Sequence, residues 1–182
     1  AARMNRLLSA GPSPFWGCSK KDELTTLSPK KSREHGPDEV AEFRLAEQAA
    51  IDAGKGRPQP VWKIYYAGAV GGQTLTGVPA VERLREKLPN TRIWPFELPL
   101  EPLTEDTLAD TRIVISEVYP SMIPAKPEGG ETKDSAQVRG LSAWFAELDA
   151  QGKLGPLFAA GGNLSDEQKA AISAEEGWIL GI

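Results

Sequence analysis

The stretch Arg112-Ile113-Val114-Ile115-Ser116-Glu117-Val118 decides the reading of this chain. It is a nearly continuous apolar run, the kind that is buried on both faces of a sheet. It predicts a strand over 112–118 that ends in an acid. Upstream, TRIWPFE predicts a second, shorter strand over 91–97, cut by Pro95. Further back, VWKIYY is β-branched and aromatic and is bounded by Pro60 and Gly68, which predicts a strand over 61–66. Helical stripes fill the intervals. Val40, Phe43, Ala46, Ala50 and Ala53 predict a helix over 37–53, with Pro37 and Asp38 in its first turn and Gly54 at its stop. Leu75, Val78, Val81, Leu84 and Leu88 predict a helix over 72–88, with Pro79 at its true first turn or at a kink. Val138, Leu141, Phe145 and Leu148 predict a helix over 134–151 opened by Asp134. A short helix is expected over 154–159. Ser165 with Gln168 has the spacing of a capping box and opens a last helix reaching about Leu180. The alternation implies an α/β fold, a mixed sheet with helices packed on it. Three strands are few for such a sheet, so either strands hide in the loops or part of the sheet lies outside this chain.

The 182 residues carry 21 Lys/Arg against 25 Asp/Glu, one Cys and one His. One cysteine excludes an internal disulfide framework and a multi-thiolate zinc site. One histidine excludes a His-rich metal site. Carboxylates are left as the obvious chemical resource. The chain has no apolar run of the roughly 20 residues that a membrane-spanning helix needs. Its start, AARMNRLLSAGPSP, has a basic flank but no apolar core of signal-peptide length. A cytoplasmic protein without a membrane partner is expected. Charge is uneven: residues 1–36 hold 7 Lys/Arg and 3 Asp/Glu, and the remainder 14 and 22. The expected organisation is a basic, loop-rich segment over 1–36 and a single α/β domain over 37–182. Lys20, Lys21, Lys30, Lys31 and Arg33 read as a solvated loop or as a phosphate-contacting arm.

The turn 68–77 (GAVGGQTLTG) follows an expected strand and precedes an expected helix. It lacks the Lys-Ser/Thr ending of a P-loop and the G-x-G-x-x-G of a dinucleotide fold. Two readings stay open: Gly71, Gly72 and Gln73 hold an anion at a helix N-terminus, as in a small-molecule phosphate-binding enzyme, or they form a tight turn. Cys18 sits near Lys20 and Lys21 but has only His35 available as a base, which argues against a thiol nucleophile. Glu117 and Glu97 stand at strand ends, where α/β sheets present ligand-binding groups. Together they would suit Mg²⁺, which takes a few carboxylates plus water and substrate phosphate. The alternative is that each pairs with an arginine, Arg92, Arg112, Arg44 or Arg139. Arg44 and Glu47 are themselves at pairing distance on a helix. Glu175 and Glu176 end the last expected helix, where acids oppose its dipole and a further use for one of them is expected.

Seven runs in order, PFWGC (14–18), EFRLAE (42–47), VWKIYYAGAVGGQTLTG (61–77), IWPFE (93–97), SEVYPS (116–121), DSAQVR (134–139) and EEGWILG (175–181), resemble a bacterial family of predicted RNase H-like nucleases. The resemblance implies hydrolysis of nucleic acid with Mg²⁺ or Mn²⁺ held by carboxylates. It implies Glu117 as a metal ligand and catalytic acid, with Asp134 and Glu176 as later acids, and places Arg44, Glu47, Gln73 and Glu97 on motif positions. The strand-end reading adds Glu97 as a second metal ligand, and the substrate side is expected to hold Arg44 and Gln73 with Gly71 and Gly72 of the glycine turn. Members of that family are expected to begin with strands bearing an Asp, whereas AARMNRLL matches the helix that follows. The expectation is a domain lacking its opening strands, inactive in that form, or paired at its sheet edge by the missing segment or by a second copy. A non-catalytic binding or self-associating module is the alternative.

Overall fold

The computed structural model describes residues 1–31 and 41–182. The chain forms two compact units, unit 1 from Ala1–Glu47 with Gln59–Lys87 and unit 2 from Gln48–Pro58 with Leu88–Ile182. Its elements are mixed α and β. No helix of the described residues is long and apolar enough to cross a membrane.

Unit 1 opens with α1 (Ala2–Leu8). Asn5, on this helix, is fully buried. Its amide nitrogen donates to the carbonyls of Phe15 (2.7 Å) and Thr26 (2.8 Å), and its oxygen accepts from Phe15 N (2.9 Å). One side chain thus satisfies three backbone groups that burial would otherwise leave at a cost. The expected strand over 61–66 is a correction. Among the described residues, Lys63 alone of this segment pairs, in a parallel bridge with Trp16, framed by Trp16 N to Trp62 O and Ile64 N to Trp16 O (both 2.9 Å). Its aromatic residues serve packing instead: the Trp62 ring meets Phe15 edge-on at 5.2 Å, and Trp62 Nε1 donates to Ala41 O. α3 (Gly71–Lys87) is a 17-residue helix with Pro79 inside it, which denies Leu75 O its usual partner. Its expected apolar face is also corrected. Steps of three residues fall short of a full turn by about 60° each, so the stripe winds around the helix. Val78 is 64% and Leu84 49% exposed.

α2 (Leu45–Asp52) is shorter than the expected 37–53 helix. Pro37, Asp38, Val40, Arg33 and His35 lie outside the described residues. Residues 41–44 are not helical. The start at Leu45 has a local cause: Glu47 reaches back and accepts the Arg44 backbone N–H at 2.8 Å, a carboxylate cap on the first turn.

In unit 2, β1 (Thr91–Ile93) and β2 (Ile113–Ile115) pair in parallel, Thr91 with Ile113 and Ile93 with Ile115. The two form a two-stranded sheet. RIVISEV is therefore not buried on both faces: Ile113 is exposed, and Val114 and Ile115 are half-buried. The chain turns after β1 through a cis Trp94–Pro95 bond, which ends the expected 91–97 strand at Ile93. α4 (Lys133–Ala150) matches the sequence closely, capped by Thr132 rather than opened by Asp134. Leu141 is buried on it, whereas Val138 is 62% exposed. Gly155–Phe158 forms a 3₁₀ turn where the short helix is expected. Ser165 and Gln168 make the expected capping box at α5 (Asp166–Ala171). The helix does not reach Leu180. It widens into a π-helical turn, Ile172–Glu176, and stops at Gly177 with φ 73°. The tail beyond is core: Trp178, Ile179, Leu180 and Ile182 are buried together with Ile172, Trp94 and Phe158. The rings of Trp94 and Phe158 meet edge-on at 5.4 Å.

Candidate carboxylate site

β2 carries the chain to Glu117, which forms an isolated parallel bridge with Ile179. Leu180 N donates to Glu117 O at 2.9 Å. The buried apolar tail is thereby fastened along the strand that bears the acid, while Glu117 itself stays exposed. Glu176 ends the π-helical turn three residues before Ile179, half-buried. Three peptide units span at most about 11 Å and the bridge adds about 5 Å, so the Glu176 Cα lies within about 16 Å of the Glu117 Cα. π-Helical turns recur at functional sites. Glu175 and Glu176 are the last residues of this widened turn, so both acids stay at the negative end of the helix dipole.

Asp134 is on the second residue of α4 and is exposed, where the positive end of the helix dipole favours an acid. Glu97 is turned inward to its own loop. Its carboxylate accepts the Ile93 N–H at 2.8 Å, and its N–H donates to Ile93 O at 2.9 Å, closing the turn that follows β1. Among the described residues, no three His, Cys, Asp or Glu side chains gather as a group able to hold a metal ion.

The residues expected on the substrate side belong to unit 1. Arg44 makes a two-pronged pair with Glu47 through Nε and Nη2, and Glu47 is 3% exposed. This is the three-residue pair that the spacing allowed, made from the residue just ahead of α2 to its first turn. Gly71 N donates to Lys63 O at 2.9 Å, so the first N–H of α3 has a backbone partner. A Cβ on Gly71 would collide with the Val61 carbonyl, which is the tight-turn reason for glycine there. Gly72 is half-buried and Gln73 exposed. The Gln73 amide nitrogen donates to Val70 O and Ala69 O, each at 3.2 Å. Cys18 is buried, and burial first, then Glu23 and Asp22, pushes its thiol pKa up. That disfavours the thiolate a nucleophile needs.

The sequence reading missed a charged cluster on unit 2. Arg139 Nη2 contacts Glu131 (3.0 Å), Glu128 (3.3 Å) and Lys126 O (3.0 Å), and Ser135 Oγ donates to Glu131. A Cβ on Gly140 would meet Ala125 Cβ at 2.9 Å, so the 120–131 segment lies directly on α4. The Arg139 bond above all holds the Glu131 carboxyl below its ordinary pKa, and Glu131 raises that of Arg139. No helix-face spacing announces a pair eight residues apart. No family model, curated protein or solved structure matches the chain.

Proposed function

We propose that the chain is an RNase H-like domain that hydrolyses phosphodiesters in nucleic acid, with Glu117 as its principal acid and Glu176 as its companion. The observation that carries this reading is the Glu117–Ile179 bridge, which holds the Glu176 segment beside the strand end bearing Glu117. Mg²⁺ and Mn²⁺ are hard cations that bind through one or two carboxylates, water and substrate phosphate, so a site on Glu117 and Glu176 would need no third protein group. When bound, the ion would supply Lewis acidity toward a phosphate oxygen and a more acidic water. The chain's own contribution is placement: the Glu117 backbone is held by its bond to Leu180 of the buried tail. Asp134 is a further acid on α4, and Glu97 shapes the turn after β1. A cytoplasmic setting suits the lone buried Cys18 thiol. The test is cleavage of a labelled single-stranded oligonucleotide with Mn²⁺. Glu117→Gln should lower the rate by about a hundredfold, the scale on which a metal-site change acts. Equal rates for the two proteins would remove Glu117 from the chemistry.

A second reading has its own observation. Ile113 is 38%, Val118 36% and Phe96 47% exposed around a sheet of only two strands. Such an edge suits self-association through added strand pairing. Sedimentation that stays monomeric as concentration rises would contradict it.

A further inference from the structure

Tyr65 and Tyr66 stand side by side on unit 1, 49% and 51% exposed, with ring centroids 4.8 Å apart at 66°. Burial does not explain two large aromatic rings held in this way. Their support is specific. Tyr66 has φ 73°, a left-handed conformation that bulky side chains rarely adopt. Backbone strain of this kind clusters at functional sites. The Tyr66 hydroxyl donates to Cys18 O at 3.1 Å. Gly17, with φ 103°, runs so close beneath the pair that a Cβ there would lie 3.0 Å from Tyr65 N and 3.2 Å from Tyr65 Cβ. Two residues beyond Cys18, the 3₁₀ turn Lys20–Asp22 carries Lys20 and Lys21, both exposed and without an ion-pair partner among the described residues. Asp22 in that turn accepts from the Ser19 hydroxyl at 2.6 Å and keeps its charge, as does the exposed Glu23 that follows it.

We propose that Tyr65 and Tyr66, with Lys20 and Lys21, form a binding surface for single-stranded nucleic acid. Bases stack on exposed aromatic rings regardless of sequence, and lysines on the segment that the Tyr66 hydroxyl holds would neutralise phosphates between bases. Unit 1 carries 12 Lys/Arg against 9 Asp/Glu, a net +3 in a chain of net −4, so its charge complements a polyanion and opposes a second copy of itself. A duplex keeps its base faces stacked away from the rings, which is why the surface selects single strands. The surface extends the hydrolytic reading with a substrate class but stands on its own observations.

The experiment is fluorescence anisotropy with a labelled oligothymidylate of about 16 nucleotides in EDTA, against the matching duplex. The full chain should bind the single strand and hold the duplex less tightly. Tyr65→Leu and Tyr66→Asn, the latter chosen because Asn accepts a positive φ, should each weaken binding about tenfold. Lys20→Gln with Lys21→Gln should lower the slope of log affinity against log salt by about 1.4. Photocrosslinking of a bromouracil oligomer to the unaltered chain, mapped to residues 65 and 66, reads the same contact without any substitution. Because the assay runs in EDTA and reads binding alone, its outcome is separate from whether Glu117 takes part in hydrolysis. No binding at about 50 mM salt, equal affinity for the duplex, or crosslinks elsewhere would overturn the proposal. So would a dimer that Tyr65→Leu dissociates, which would make the rings a contact between copies.

Discussion

Unit 1 carries 12 Lys/Arg against 9 Asp/Glu, whereas unit 2 carries 9 against 16, so charges of +3 and −7 make up the −4 of the chain. Their interiors differ as well. Unit 2 buries Trp94, Trp178, Ile172, Leu141 and Phe158, and both tryptophans close their indole N–H on a backbone carbonyl, Pro99 O and Ile182 O. Unit 1 buries Phe15, Leu27, Cys18 and Ala46 around the amide of Asn5. Of the largest fully buried side chains, Trp94, Pro95, Ile172 and Trp178 belong to unit 2, whereas Asn5 belongs to unit 1. The acids available for chemistry therefore sit on the apolar-cored unit, and the exposed aromatic pair on the unit with the smaller core.

The largest expected effect tests the first half of that comparison. Trp178→Ala removes a side chain that is 1% exposed and should lower stability in urea by about 4 kcal/mol, combining lost burial with a cavity. A loss under about 1 kcal/mol would show that the C-terminal tail is not part of the core. Asn5→Ala tests the other half. It leaves Phe15 N, Phe15 O and Thr26 O without their partner and should cost about 3 kcal/mol despite removing little apolar area. Asn5→Leu should be no better, because it supplies apolar volume and no hydrogen bonds. If Asn5→Leu restores stability, unit 1 depends on burial as unit 2 does.

The smallest effect concerns charge within unit 2. Arg139 holds the Glu131 carboxyl below its ordinary range, so the folded state gains from an ionised Glu131. That gain is present above the unfolded carboxyl pKa of about 4.3 and fades as pH falls through the lower folded value. Arg139→Gln should raise the Glu131 pKa toward the ordinary value, read by carbon-detected NMR titration. The stability difference from the parent should shrink in acid. A Glu131 titration unchanged by the substitution would break the assignment.

Local signals carried well from sequence to structure. α4 and the α5 capping box follow from periodicity and from a three-residue spacing, both fixed within one or two turns. Signals that depend on distant partners did not carry. VWKIYY has strand propensity, but its one pairing partner is Trp16, far away in the chain, and its aromatic residues are used for packing. RIVISEV is apolar enough for burial on both faces, yet its sheet has two strands. Glu117 was legible as a strand-end acid, because strand and acid are adjacent in sequence. The bond that fastens the C-terminal tail beside it spans more than 60 residues and carries no spacing signature. Glu97 has a local use that its strand-end position does not announce: its carboxylate accepts the Ile93 N–H.

The central claim is that Glu117, with Glu176 held near it, receives a divalent cation. Calorimetric titration of Mn²⁺ into the full chain, Glu117→Gln and Glu97→Gln tests it most directly. Binding to the parent and to Glu97→Gln, weakened by about tenfold or more in Glu117→Gln, is the expected result. Identical titrations of the parent and Glu117→Gln, or heat that is lost only in Glu97→Gln, would contradict it.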